Sequence, residues 1–215
     1  MQAFVLDEQP SVANTFLAEL RDKNIQQDSL RFRKNLERLG EIMAYEISAT
    51  LPFKEADVPT PLGDKATQVL AEQPVLISIM RAGLPYFQGF LNYFDRAESG
   101  FIGAYRKEDA EMLSIELGYV ASPSLEGKTL ILIDPMLATG QSIIRSVNAL
   151  LSKGKPKQLH IACVVASPEG MQYLQAHLKL PYMLWVCSVD EKLDTKNYIV
   201  PGLGDAGDLC YGDKL

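Results

Sequence analysis

Four short apolar runs constrain this chain more than any other feature: residues 75–80 (VLISIM), 130–134 (LILID), 159–166 (LHIACVVA) and 183–189 (MLWVCSV). Each is apolar almost throughout and too short for a buried helix, which is the pattern of strands covered on both faces. Between them lie stretches with helical spacing: 84–93, 142–152 with Ile143, Val147, Leu150 and Leu151 on one face, and 169–177. Buried strands separated by helices predict an α/β fold, a mostly parallel central sheet flanked by helices. Residues 101–105 read as a further strand, and 112–120 alternate enough for a strand at a sheet edge or in a small hairpin or hood element. An N-terminal helical segment is expected at 27–48, where Phe32, Leu36, Leu39 and Met43 recur among charges. Its apolar face needs either the chain's own core or a partner subunit. Residues 50–64, with Pro52, Pro59, Pro61 and Gly63, read as an irregular connection. No repeat or linker divides the sequence, so 1–215 is expected to form one domain.

Charge narrows the function classes. Lys plus Arg number 21 and Asp plus Glu 27, a net charge of −6. That balance argues against a protein built to bind nucleic acid or anionic membrane. A phosphorylated ligand would have to be held by local donors, because the global field repels it. Cys163, Cys187 and Cys210 are too few and too scattered for a disulfide framework or a metal knuckle, and His160 and His177 lack metal-ligand spacing. No basic-then-apolar leader opens the chain, and no apolar run approaches ~18 residues. The expectation is a soluble, cytoplasmic protein with no nucleic-acid or membrane partner.

In such sheets ligands sit beyond the carboxyl ends of the strands. Four segments fit that position: Arg81-Ala82-Gly83, Tyr105-Arg106, Asp134–Ser142, and the loop after Asp190. The third, Asp134-Pro135-Met136-Leu137-Ala138-Thr139-Gly140-Gln141-Ser142, joins a buried strand to a helix. A helix start carries unpaired N–H groups and the positive end of the macrodipole, so residues 138–142 can cradle a phosphate. Gly140 lets the backbone come close to the anion. Asp134 can only accept hydrogen bonds when ionised, which suits a sugar hydroxyl or a hydrated cation. The plainer alternative is a helix cap with an ordinary turn. No Gly-Lys-Ser/Thr follows, so this is not a Walker A loop. Near the carboxyl end, Gly202-Leu-Gly204-Asp-Ala-Gly207 matches the dinucleotide fingerprint GxGxxG by letter alone. Only residues 208–215 follow, leaving no room for the helix and second strand that the fingerprint requires. A tight loop presenting backbone groups to a flat polar ligand fits better. Asp190 is a further candidate for sugar or metal contact, left out of the assigned set.

An acidic residue at a strand end followed by Ala-Thr-Gly-x-Ser resembles the phosphoribosyl-diphosphate (PRPP) loop of type I phosphoribosyltransferases. The form Asp134-Pro-Met-Leu-Ala-Thr-Gly140 is similar to that of the uracil phosphoribosyltransferase family. Ile79-Met-Arg-Ala-Gly83, Tyr105-Arg-Lys-Glu108 and Tyr198-Ile-Val-Pro-Gly-Leu-Gly-Asp-Ala-Gly-Asp208 match in the same order, as do Leu20-Arg-Asp and Arg31-Phe-Arg. The resemblance implies transfer of the phosphoribosyl group of PRPP to uracil, giving UMP and diphosphate. It implies that Arg81, Ala82, Gly83 and Arg106 take the diphosphate, that residues 134–142 hold the phosphorylated sugar, and that Ile199, Gly204 and Ala206 contact uracil. Asp205 would face both uracil and PRPP, and Arg81, Arg106, Asp134 and Asp205 form the expected catalytic set. Mg²⁺ is the implied cofactor. It would be held mainly through PRPP, because Pro135 stands where most type I loops have a second acid. A homodimer or homotetramer is implied too, and GTP is a conceivable effector for which no residues here mark a site. Gln141 replaces a glycine usual in the family, and Gln88 an acid. A phosphoribosyltransferase for another base, an RNA-binding regulator with the same fold, and a scaffold protein with degenerate loops are the alternatives.

Overall fold

The computed structural model describes residues 3–109 and 112–213, apart from the side chains of 105–109 and 112–116. In chain order the elements are β1 (Ala3–Val5), α1 (Val12–Arg21), α2 (Ser29–Ser48), β2 (Phe53–Thr60), β3 (Gly63–Leu70), β4 (Val75–Met80), α3 (Gly83–Tyr93), β5 (Ser99–Asp109) and β6 (Met112–Ala121). They continue with β7 (Thr129–Ile133), β8 (Met136–Leu137), α4 (Gln141–Leu150), β9 (Gln158–Ala166), α5 (Pro168–His177), β10 (Met183–Val189), β11 (Lys192–Leu193), β12 (Ile199–Val200) and α6 (Ala206–Tyr211).

The main sheet runs β1-β10-β9-β7-β4-β5-β6, with β8 added beside β9. Its pairings are parallel except for β5 with β6, which form the antiparallel edge. The expected α/β architecture is therefore present, and each apolar run is a strand buried on both faces. Within each strand, neighbours point to opposite layers. Leu76, Ile131, Val164, Trp185 and Cys187 pack with Leu20, Leu36, Leu39, Met43, Tyr86 and Phe90 from α1, α2 and α3. Ile77, Leu132, Cys163 and Val186 pack on the other face with Ile143, Val147, Leu150 and Leu174 from α4 and α5.

One open alternative is decided and two expectations need correction. The apolar face of α2, left open between core and partner, lies in the chain's own core: Phe32, Leu36, Leu39, Met43 and Ile47 are at most 1% exposed. The segment 50–64 is not an irregular connection. Most of it belongs to an antiparallel hairpin in which Phe53 pairs with Leu70 and Thr60 with Gly63. Almost every residue of β2 is exposed, so neither face is apolar and no period-two pattern marks it. In a two-stranded ribbon each strand has a free edge, which is where Pro59 is tolerated. The stretch between β7 and α4 is not simply a turn either, since β8 pairs there with Val165 and Ala166.

Candidate functional site

Strand order fixes where a site can form. From β4 the chain crosses through α3 to β5 on one side, and from β7 it crosses through α4 to β9 on the other. Helices α3 and α4 pack on opposite faces. The crossover direction therefore reverses between the adjacent strands β4 and β7, and their carboxyl ends open a crevice at that switch point. Two of the sequence candidates, Arg81-Ala82-Gly83 and Asp134–Ser142, emerge there side by side. Ser78 pairs with Ile133 at the end of the ladder, and a Cβ on Gly83 would lie 3.3 Å from the Ile133 carbonyl.

The helix starts at this crevice differ from the others in the fold. Ser11 caps α1, Asp28 caps α2, Ser167 caps α5 and Asp205 caps α6, each accepting backbone N–H groups. Helices α3 and α4 begin at Ala82 and Gly140, and neither residue supplies a side-chain cap. Of their early N–H groups, Gln141 N meets Thr139 Oγ1 at a long 3.5 Å and Leu84 N donates to the Arg81 carbonyl at 3.2 Å; the remaining ones and the dipole ends suit an anion best. Gly140 has φ +76°, a conformation that disfavours any Cβ, and one placed there would sit 3.0 Å from the Gly170 carbonyl. Gln141 does not share that restriction, since Asn197 is the only positive-φ non-glycine among the described residues. The residue therefore fits the first helical position of the cradle.

The loop between strand and helix is held from behind. The Pro135 carbonyl accepts from Val164 N and Val165 N at 3.0 Å, Ser167 N donates to the Leu137 carbonyl at 2.9 Å, and Ser167 Oγ donates to the Ala138 carbonyl at 2.7 Å. Leu137 is fully buried, and Pro135 is buried as well, so both anchor the loop to the sheet behind it. Asp134 Oδ1 accepts from Met136 N at 3.2 Å. Burial raises its pKa to about 7, and this one hydrogen bond opposes the rise only in part. It thus stands near half-ionised at neutral pH, able to accept from or donate to a ligand hydroxyl.

Arg81 reaches away from its own loop. One terminal nitrogen donates to Asp208 Oδ1 at 2.6 Å and the other to the Gly212 carbonyl at 3.2 Å, while its buried Nε faces no acceptor. A guanidinium with a donor to spare, beside an uncapped helix, can meet a diphosphate. Arg106 lies on β5 opposite Ile115, and its side chain is outside the described residues.

The terminal block is more ordered than a loop. A helix does follow Gly204, the six-residue α6, but among the described residues no second strand follows it, so the dinucleotide fingerprint has no βαβ unit there. Ile199 and Ala206 are 5% and 2% exposed. What they and the exposed Gly204 can offer a ligand at this surface is largely main chain. Asp205 Oδ1 is committed to the cap, taking Gly207 N at 2.9 Å and Asp208 N at 3.1 Å.

Sequence reasoning missed a set of braces. Asp190 is not a free carboxylate: Arg21 grips both its oxygens, at 2.9 and 2.6 Å, and Gly202 N donates to it at 2.9 Å. Arg33 donates to the Cys210 carbonyl at 2.6 Å, at the end of α6. The Leu20-Arg-Asp and Arg31-Phe-Arg blocks were visible signals, but their partners are 169 and 177 residues away. Gln88 is an exposed helix residue bonded to Asn92. His160 is buried, accepts from Trp185 Nε1 at 3.0 Å, and has its pKa pushed down to about 4 by burial, so it is a neutral core residue. Among the described residues no group of three or more His, Cys, Asp or Glu side chains could hold a metal by itself, and no helix is long and apolar enough to cross a membrane.

Comparison with known proteins places these features in a lineage. The model of the family described as "Uracil phosphoribosyltransferase" matches residues 7–213. The chain is 47% identical to the uracil phosphoribosyltransferase of Porphyromonas gingivalis over the full length of both proteins. It is 38% identical to that of Sulfolobus acidocaldarius, covering 92% of this chain and 94% of that one. A solved structure from Aquifex aeolicus superposes with TM-score 0.88 at 31% identity, covering both chains completely. A Staphylococcus aureus hypoxanthine phosphoribosyltransferase shares the fold at TM-score 0.50 and 13% identity, covering 80% of this chain and 85% of the other.

Proposed function

The chain belongs to the uracil phosphoribosyltransferase family, and from that premise we propose the reaction and the part each residue plays in it. The phosphoribosyl group of PRPP is transferred to uracil, forming UMP and diphosphate, a step of pyrimidine salvage. Residues 1–215 act as one phosphoribosyltransferase domain. One observation carries the reading: the two helices without a side-chain cap start side by side at the switch point, with an arginine between them and the terminal block.

The 5′-phosphate is held by the N–H groups of residues 138–142 at the start of α4, with the Thr139 and Ser142 hydroxyls assisting. Asp134 holds a ribose hydroxyl. Arg81, with the backbone of Ala82 and Gly83 at the start of α3, takes the diphosphate, and Arg106 joins it. The backbone of Ile199, Gly204 and Ala206 reads the pyrimidine edge, and Asp205 orients the PRPP side. Mg²⁺ supplies further positive charge to the diphosphate when bound, and a lone Asp134 beside Pro135 fits an ion carried mainly by PRPP. Positive charge develops on the sugar as diphosphate departs, so these residues work by positioning and by stabilising the leaving group. No protein nucleophile is required.

Backbone reading also accounts for base choice. Cytosine presents a donor at C4 and an acceptor at N3 where uracil presents the reverse, so two peptide groups set for uracil lose their partners at a cost of ~1–3 kcal/mol each. Incubation of the protein with uracil, PRPP and Mg²⁺ is expected to yield UMP; absence of product across a wide pH range overturns the reading. A homodimer or homotetramer belongs to the same proposal, and light scattering with and without GTP tests both assembly and any effector response.

A further inference from the structure

Both backbone polar groups of Gly202 are taken by one half-buried ion pair. Gly202 N–H donates to Asp190 Oδ2 at 2.9 Å, and the Gly202 carbonyl accepts from Arg21 at 2.9 Å. Arg21 and Asp190 close the ring with two contacts of their own, and the second terminal nitrogen of Arg21 also donates to Ser188 Oγ at 3.0 Å. Arg21 is itself fixed from behind, since Gln26 Nε2 donates to the Leu20 and Arg21 carbonyls at the end of α1. The Asp190 side chain is 4% exposed, so loss of Arg21 would leave a buried carboxylate without its partner. Gly202 has φ +63°, and a Cβ there would sit 2.1 Å from the Ile199 carbonyl. The bend therefore has one allowed residue and a fixed hydrogen-bond frame.

That frame lies between the groups assigned to the base. Ile199 precedes Gly202 by three residues, and Gly204 and Ala206 follow within four. We propose that Arg21 and Asp190 are positioning residues for uracil: they set the main-chain groups of 199–206 at the spacing that pairs with the pyrimidine edge. This rests on the phosphoribosyl-transfer reading above and deepens it. An arginine is needed because one planar fork must satisfy the two Asp190 oxygens, the Gly202 carbonyl and Ser188 together, which a lysine ammonium cannot do. The phosphate side does not share the frame. The α6 end of the block has separate ties, from Arg33 to the Cys210 carbonyl and from Arg81 to Asp208 and the Gly212 carbonyl.

The test is a KM split in Arg21→Lys, with Asp190→Asn beside it. Small displacements of positioning groups cost up to about 100-fold. The uracil KM at saturating PRPP is therefore expected to rise about 10- to 100-fold, while the PRPP KM at saturating uracil stays within about threefold of wild type. Equal rises in both constants, a fall in kcat alone, or an unchanged uracil KM in a folded variant would overturn the proposal. If both variants fail to fold, Ser188→Ala, which removes only one contact to Arg21, is expected to raise the uracil KM about fivefold with the PRPP KM unchanged. Absence of that rise counts against the brace. A wild-type protein that makes no UMP would instead sink the underlying reading, so the two failures are distinct.

Discussion

The start of α4 and the terminal block 199–211 both offer main-chain groups to a ligand, but they are built in opposite ways. The α4 loop is assembled from contiguous residues, has no side-chain cap at Gly140, and leans on its neighbours β9 and Ser167 through backbone bonds. The terminal block caps its own helix with Asp205 and is fastened from outside by Arg21, Arg33 and Arg81. An anion site must leave its donors unpaired until the ligand arrives. A site that reads a neutral base must have its peptide groups aimed beforehand, because a hydrogen bond of modest net strength discriminates only when its geometry is fixed.

Arg81 ties the terminal block to the loop that emerges beside the α4 loop and gives the largest expected effect. Arg81→Ala is expected to lower kcat/KM for PRPP about 1000-fold, in line with loss of a clamp on developing charge, and to weaken uracil binding far less. Steady-state kinetics in both substrates checks this, and equal loss in both would contradict the assigned role. Gly140→Ala tests the local loop alone. Forcing a Cβ into a left-handed conformation costs about 1–2 kcal/mol, and the tilt of the amides is expected to raise the PRPP KM about 10- to 100-fold with the uracil KM near wild type.

Asp134 distinguishes the regions by pH. Its native pKa of about 7 lies above its unfolded value, so the folded protein binds the extra proton and this contribution to stability falls as pH rises from about 4 to 7. Asp134→Asn is expected to remove that decline, gaining up to about 4 kcal/mol at pH 8 relative to wild type while losing activity. Urea melts at pH 5 and pH 8 measure the difference. Smallest of all, Arg33→Gln is expected to cost about 1 kcal/mol of stability by freeing the Cys210 carbonyl, with kcat little changed. A large kinetic effect there would erase the separation between the block's two ends.

Legibility followed the range of the interactions. The buried strands were readable because burial on both faces leaves an apolar run in the sequence itself. The hairpin β2–β3 was not, since strands solvated on both faces carry no such period and their pairing lies in the backbone. Short elements such as β8 and α6 form only because something fixed receives them: Pro135 and Leu137 against β9, and Asp205 over its own two amides.

What the amino-acid order determined alone was the α/β layering, the loop proposed to hold phosphate and the resemblance of its motifs, because each is written in neighbouring residues. Tertiary structure decided that the crevice lies between β4 and β7, that α3 and α4 start there without a side-chain cap from Ala82 or Gly140, and that Asp190 pairs with Arg21. The reason is physical. A helix dipole and a glycine turn are local, whereas a carboxylate's partner is whichever cation the fold carries to within about 3 Å of it, here from 169 residues away.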